Sequence, residues 1–144
     1  MTAEFSWMVR VYYEDTDTGG VVYYANYLKF FERARTEWLR GCGISQHELA
    51  HSANRLFVVT RSSISHHAPA RLDDELRLTL TVERVRGASV QFFQQAWRMG
   101  TANEPQLLAT AQIKVACVEG GSFRPAPIPP AALRAIRATV SARS

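Results

Sequence analysis

At 144 residues, with 47% hydrophobic and 21% charged side chains, the sequence has globular composition and the length of one domain, 1–144, able to bury roughly two-thirds of its unfolded surface. It contains no run near the roughly 20 apolar residues of a membrane helix, no signal peptide in MTAEFSWMVRVYY, and only Cys42 and Cys117, so membrane insertion and a disulfide scaffold are not expected and a cytoplasmic protein is. The net charge of +4 rests on 17 Lys and Arg that are scattered along the chain, with no basic block and no RNA-binding signature, so nucleic acid is not expected as a partner.

The first element is a short strand over 7–13, WMVRVYY, with Val9, Val11 and Tyr13 on one side. After an acidic, glycine-containing loop, Asn26 is placed to cap a helix, YLKFFERARTEWLRGCG. At 100° per residue, Tyr27, Leu28, Phe30, Phe31, Ala34, Trp38, Leu39 and Cys42 share one broad apolar face, and Gly43 is a left-handed stop. Arg35 alone interrupts that face. Two readings apply to it: a contact with a ligand or partner, or, preferred here, a buried stem whose head reaches water or a carboxylate.

A shorter helix follows over 45–51, with Ser45 as cap and Glu48 three residues later. The period then changes. LFVVTRSSIS is a β-branched strand, and LRLTLTV (76–82) alternates with Leu76, Leu78, Leu80 and Val82 facing in. The turn Arg86-Gly87-Ala88 leads into SVQFFQQAWRM, and GTANEP leads into QLLATAQIKVACV; connections this short imply antiparallel neighbours. EGGSFRPAPIPP is a loop, after which Pro130 opens a last helix. The expected architecture is α+β: one long apolar helix wrapped by an antiparallel sheet of about five strands, with a free face or edge for self-association.

The loop EDTDTGGVVYYANY, 14–27, places Glu14, Asp15 and Asp17 ahead of a glycine pair and a run of aromatics. An EF-hand spacing begun at Asp15 fits Asp17 and Gly20. It fails at Gly19, where an oxygen ligand belongs, and at Asn26, where a bidentate Glu is required. His66 and His67, adjacent on a strand, point to opposite faces and do not share one ion; one ring is expected buried and one exposed. No metal is therefore expected. A carboxylate upstream of a helix N-terminus, by contrast, suits carbonyl chemistry. The free N–H groups and dipole polarise an oxygen, and the carboxylate attacks or activates water. On local physics alone, a plain Asp/Gly turn explains the loop equally well.

The segment VRVYYEDTDTGGVVYYANYLKFFERARTEWLR, continued by APARLDDEL (68–76) and the RGAS turn (86–89), resembles the hot-dog-fold acyl-CoA thioesterases of the 4-hydroxybenzoyl-CoA thioesterase family, most nearly those of the YbgC type associated with the Tol-Pal system. The resemblance implies a long central helix in a curved antiparallel sheet and hydrolysis of an acyl-CoA to acid and CoA, without a cofactor. It also implies a homodimer or homotetramer joined at sheet edges, with protein partners linked to lipid synthesis or Tol-Pal. It assigns the catalytic carboxylate to Asp17, the oxyanion-binding N–H to the helix start over Val22 to Tyr24, and a site-lining role to Tyr13. Asp15 is then a structural turn residue, and Glu14 faces solvent. Arg86 and Ser89, with Arg61 a weaker third, become candidates for binding the CoA phosphates. Relatives of the YbgC type usually carry histidine at the position of Tyr24; the backbone N–H survives that change, and an imidazole acid/base does not. The rival implied by the same fold is a non-catalytic module binding acyl-CoA or an acyl carrier.

Overall fold

The computed structural model of the chain describes residues 4–100 and 105–141. Leu, Val and Ile at alternate positions draw the second half of the chain into long strands, because an alternating apolar set buries only when the backbone is extended. The strands are β1 (Phe5–Arg10), β2 (Arg55–His66), β3 (Glu75–Val85), β4 (Ser89–Met99) and β5 (Gln106–Glu119). They form one sheet in the order β1-β3-β4-β5-β2, with every neighbouring pair antiparallel. The register slips between Val59 and Arg61, Val82 and Arg84, and Ala96 and Trp97. Such bulges increase local twist and curl the sheet.

The long helix, α1 (Asn26–Gly41), lies in the concave side. Its side chains Tyr27, Phe30, Phe31, Ala34, Trp38 and Leu39 are buried. They meet Leu76, Leu78, Leu80 and Val82 of β3, Val90 and Phe92 of β4, and Ala109, Ala111, Ile113 and Val115 of β5 in one core. Trp38 and Phe92 pack edge to face at 5.4 Å. Truncating Phe30 or Phe31 there would cost about 3–5 kcal/mol. Gly43, at φ 82, ends the helix in the left-handed conformation, and Ile44 N–H closes back on Leu39 O. A short α2 (Gln46–Ser52) follows, with Ser45 Oγ accepting from Glu48 N–H, and α3 (Pro130–Ser141) closes the chain by burying Ile136.

Three expectations from the sequence need correction. The first strand stops at Arg10 rather than Tyr13, because Asp15 bends the chain into a 3-10 turn over Tyr13–Asp15: its carboxylate takes the Tyr12 N–H and its own N–H bonds Tyr12 O. Val11 stays buried, while Tyr13 is 82% exposed. Leu28, drawn on the apolar face, is exposed, because α1 sits nearer β1 and β3 than β2 and leaves that flank uncovered. Finally, His66 and His67 are both exposed. The turn expected in GTANEP lies, from 101 to 104, outside the described residues. No described helix is long and apolar enough to cross a membrane.

Candidate active site

The acidic loop folds back on itself. Thr16 and Val22 form an isolated bridge, Asp17 N–H bonds Val21 O, and Tyr23 N–H bonds Asp15 O. The segment at 68–71 closes over it, with Val22 N–H on Ala70 O and Val21 bridged to Arg71. Three residues of the loop with carboxylates thus have three separate fates. Glu14 is exposed. Asp15 is 4% exposed, and its two oxygens take Tyr12 N–H and Asn26 Nδ2, each at 2.9 Å. This is the structural role expected for it, and it also explains Asn26: the asparagine is the first residue of α1, not a side-chain cap, and spends its amide on Asp15.

Asp17, between the buried Asp15 and the glycine pair, presents its carboxylate to solvent. Its Oδ1 accepts the Gly19 N–H at 2.8 Å, which leaves Oδ2 without a protein donor among the described residues. The glycine pair now has a physical reason. A Cβ on Gly19 would lie 3.2 Å from that same Oδ1, and Gly20 turns the chain at φ 79.

The start of α1 supplies the second half of the site. Val22 and Tyr23, expected to offer N–H groups, spend them on Ala70 O and Asp15 O, and Asn26 N–H is tied to Tyr23 O. The Tyr24 N–H has no protein acceptor among the described residues. Of the three N–H groups expected to bind an anion at the helix start, two are thus already used within the protein. The Tyr24 side chain is exposed and stacks at 4.9 Å on Tyr23, whose phenol it pushes up in pKa through their hydrogen bond. Burial pushes the Tyr27 phenol up as well, offset in part by the Ala70 backbone.

One neighbour of this site was invisible in sequence. His66, the last residue of β2, places its ring 5.2 Å from Tyr27 and 6.2 Å from Tyr24. Its ring nitrogens have no protein partner among the described residues. Only the strand order, which returns β2 alongside the helix, brings it there. Its neighbour His67 points the other way and bonds Thr110 Oγ1 at 3.2 Å. No group of three or more His, Cys, Asp or Glu among the described residues is arranged to hold a metal.

Arg61 joins Arg86 and Ser89 of the distant 86–89 turn in one cleft of about 280 Å³. Arg84 and Lys114 complete it, and no carboxylate lines it. Arg61 and Lys114 are cross-strand partners, which is why the strand register, and not the sequence, reveals the cluster.

The comparisons with known proteins bear directly on this geometry. The thioesterase superfamily profile matches residues 19–103, more than half of the chain. The chain belongs to the thioesterase superfamily. A curated member, the acyl-CoA thioesterase YbgC of Haemophilus influenzae, is 46% identical over 125 residues, 87% of this chain and 88% of that protein. Among solved structures, a 1,4-dihydroxy-2-naphthoyl-CoA thioesterase from Synechocystis superposes with TM-score 0.82 at 25% identity, covering 96% of each chain. The 4-hydroxybenzoyl CoA thioesterase from Pseudomonas sp. strain CBS-3 shares the fold at TM-score 0.83 and 18% identity, covering 92% of this chain and 98% of that one. This thioesterase therefore has the hot-dog fold expected from its sequence, and its enzymatic class is thioester hydrolase.

Proposed function

We propose that the protein hydrolyses acyl-CoA thioesters, with Asp17 as the reacting carboxylate and the Tyr24 N–H as the oxyanion donor. The observation that carries this reading is the pairing, on one small loop, of a solvent-facing carboxylate with a free oxygen and an unspent helix-start N–H. A thioester carbonyl seated on Tyr24 N–H gains the helix dipole at its oxygen as negative charge develops there. Asp17 Oδ2 attacks the carbonyl carbon to give a mixed anhydride that water then hydrolyses, or takes a proton from the attacking water; both routes release CoA thiolate and end in free acid. His66, beside Tyr24 and Tyr27, flanks this site, and the leaving thiolate takes its proton from water. Tyr13, exposed next to the loop, lines the entry.

The basic cleft is the proposed seat of the CoA phosphates, where Arg61, Arg84, Arg86 and Lys114 offer charge-assisted hydrogen bonds and Ser89 a hydroxyl. A homodimer is part of the same proposal. β2 is a twelve-residue edge strand, exposed from Val59 to Ser63, and pairing with a second copy removes an edge that otherwise invites aggregation.

The test is thiol release from a panel of acyl-CoAs by purified protein, beside Asp17→Asn. Turnover of at least one thioester, with a loss of roughly 100-fold or more in the variant, supports the reading. Absence of turnover by wild type, with CoA still bound, replaces it with a binding module of the same fold.

A further inference from the structure

Residues of β2 and α1 face one another from His66 to a cavity beside Phe57. On the strand side, the residues turned toward α1 are Phe57 and Val59 before the bulge and Ser62, Ile64 and His66 after it, since their β5 partners Cys117, Val115, Ile113, Ala111 and Ala109 all lie in the core. On the helix side, Leu28, Glu32, Arg35 and Leu39 recur at four-, three- and four-residue steps, one stripe of an α-helix. At one end stand Tyr24, Tyr27 and His66. At the other is a cavity of about 130 Å³, walled by Trp38, Phe57, Val90, Phe92 and Ile136. That is close to the roughly 150 Å³ of an apolar cavity that takes up a benzene-sized guest.

Arg35 opens into this cavity, whose lining also includes Glu32, Thr36 and Gln46. Its guanidinium, partly buried, makes no ion pair among the described residues. One N–H of Nη1 reaches Gln94 Oε1 at 3.0 Å, and Gln94 in turn is fully buried and donates to Phe31 O. The remaining guanidinium donors have no protein acceptor there. Burial lowers the Arg35 pKa to about 10, while Glu32, one turn earlier, favours the charged form without bonding it. A desolvated fork of donors costs stability unless an acceptor meets it. The protein supplies one acceptor for five N–H groups.

We infer that the groove between α1 and β2 takes the acyl chain and that Arg35, at its far end, selects acyl groups whose distal terminus carries a hydrogen-bond-accepting oxygen: ω-hydroxy or ω-carboxy aliphatic chains rather than plain ones. This rests on the acyl-CoA reading of the Asp17 site. Arg35 lies nine residues along α1 from Asn26, about 14 Å, so short acyl groups fall short of it and medium-length chains reach it. The recognition is of the substrate's tail and has no part in the chemistry at the thioester.

Two measurements separate this inference from the thioesterase reading. In the first, kcat/KM is compared for unsubstituted, ω-hydroxy and ω-carboxy acyl-CoAs over a length series, in wild type and in Arg35→Met, with Arg35→Gln as the second variant if Met does not fold. Wild type should prefer the oxygenated chain by about tenfold or more once the chain is long enough, since a hydrogen bond to a charged group is at stake. Arg35→Met should abolish the preference while retaining turnover of butyryl-CoA. A preference that is absent in wild type, or that survives in both variants, overturns the inference even if every thioester is hydrolysed. In the second, calorimetry compares binding of free dicarboxylic and monocarboxylic acids of equal length to the same proteins. An Arg35-dependent difference in a protein that hydrolyses no thioester sustains the cavity's selectivity and overturns the catalytic reading alone; equal binding overturns the selectivity.

Discussion

Asn26→Ala tests whether the active loop is held by one hydrogen bond. The substitution removes the Nδ2 donor from Asp15 Oδ1, a 2.9 Å bond to a carboxylate that is 4% exposed. A hydrogen bond to a buried charged group contributes about 1.5–3 kcal/mol. Alanine's better helix propensity at the first position of α1 returns no more than about 0.6 kcal/mol, so the net loss is about 1–2.5 kcal/mol. For a chain of this size each kcal/mol moves Tm by about 2–4 °C, which places the expected drop near 5 °C in a thermal melt at neutral pH. Activity should fall with it, through kcat more than KM, because Asp15 also holds Tyr23 and thereby aims Tyr24. A double-mutant cycle with Asp15→Ala isolates the pair, and a coupling of at least about 1 kcal/mol is expected. A Tm within about 1 °C of wild type, or additivity within about 0.5 kcal/mol, would refute the reasoning and move the anchoring of the loop to its backbone bridges alone.

Other outcomes follow from the same geometry. Gly20→Ala forces a side chain onto φ 79 and should cost about 1–2 kcal/mol of stability in denaturant titration. Gly19→Ala, at an ordinary φ, should leave stability nearly intact but lower thiol release, because its Cβ presses on Asp17 Oδ1 at 3.2 Å. Arg86→Ala should raise KM for acyl-CoA with kcat unchanged and weaken the salt dependence of KM; an unchanged KM would remove the cleft from CoA binding. Replacing Arg35 and Gln94 together by Met and Leu should give a more stable protein than Arg35→Met alone, since the single variant strands the fully buried Gln94 Oε1. Equal melting temperatures for the two would show that Gln94 finds another donor.

Much of the fold was legible because its signals are local. The period of LRLTLTV, the apolar stripe of α1, the Gly43 stop and Pro130 at the start of α3 each declare an element within one or two turns of chain. The candidate site was named through a sequence motif, whose Asp17 and Tyr24 flank one loop. What escaped depends on contacts between distant residues. Asn26 reads as a cap until Asp15, eleven residues earlier, is seen to claim its amide. His66 reads as an exposed strand residue until β2 comes to lie beside α1. Arg61 and Lys114 join Arg84 and Arg86 only through the register of four strands. Arg35 was expected to find water or a carboxylate, and its principal partner is an amide from the middle of β4, which no periodicity predicts.

The strand order carries a consequence for synthesis. β1 and β2 occupy the two outer edges of the sheet, although no other strand lies between them in the chain. Everything before Arg55 therefore leaves the ribosome with Phe30, Phe31 and Trp38 already made and no sheet to receive them. β3, β4 and β5, joined in sequence as a meander, are the first strands able to pair with immediate neighbours, and β1 has no partner until β3 exists. A topology so dependent on distant pairing folds slowly, on the order of milliseconds to seconds. The aromatic helix thus stays uncovered until β3, β4 and β5 have followed it, and is the segment on which a ribosome-associated chaperone would act.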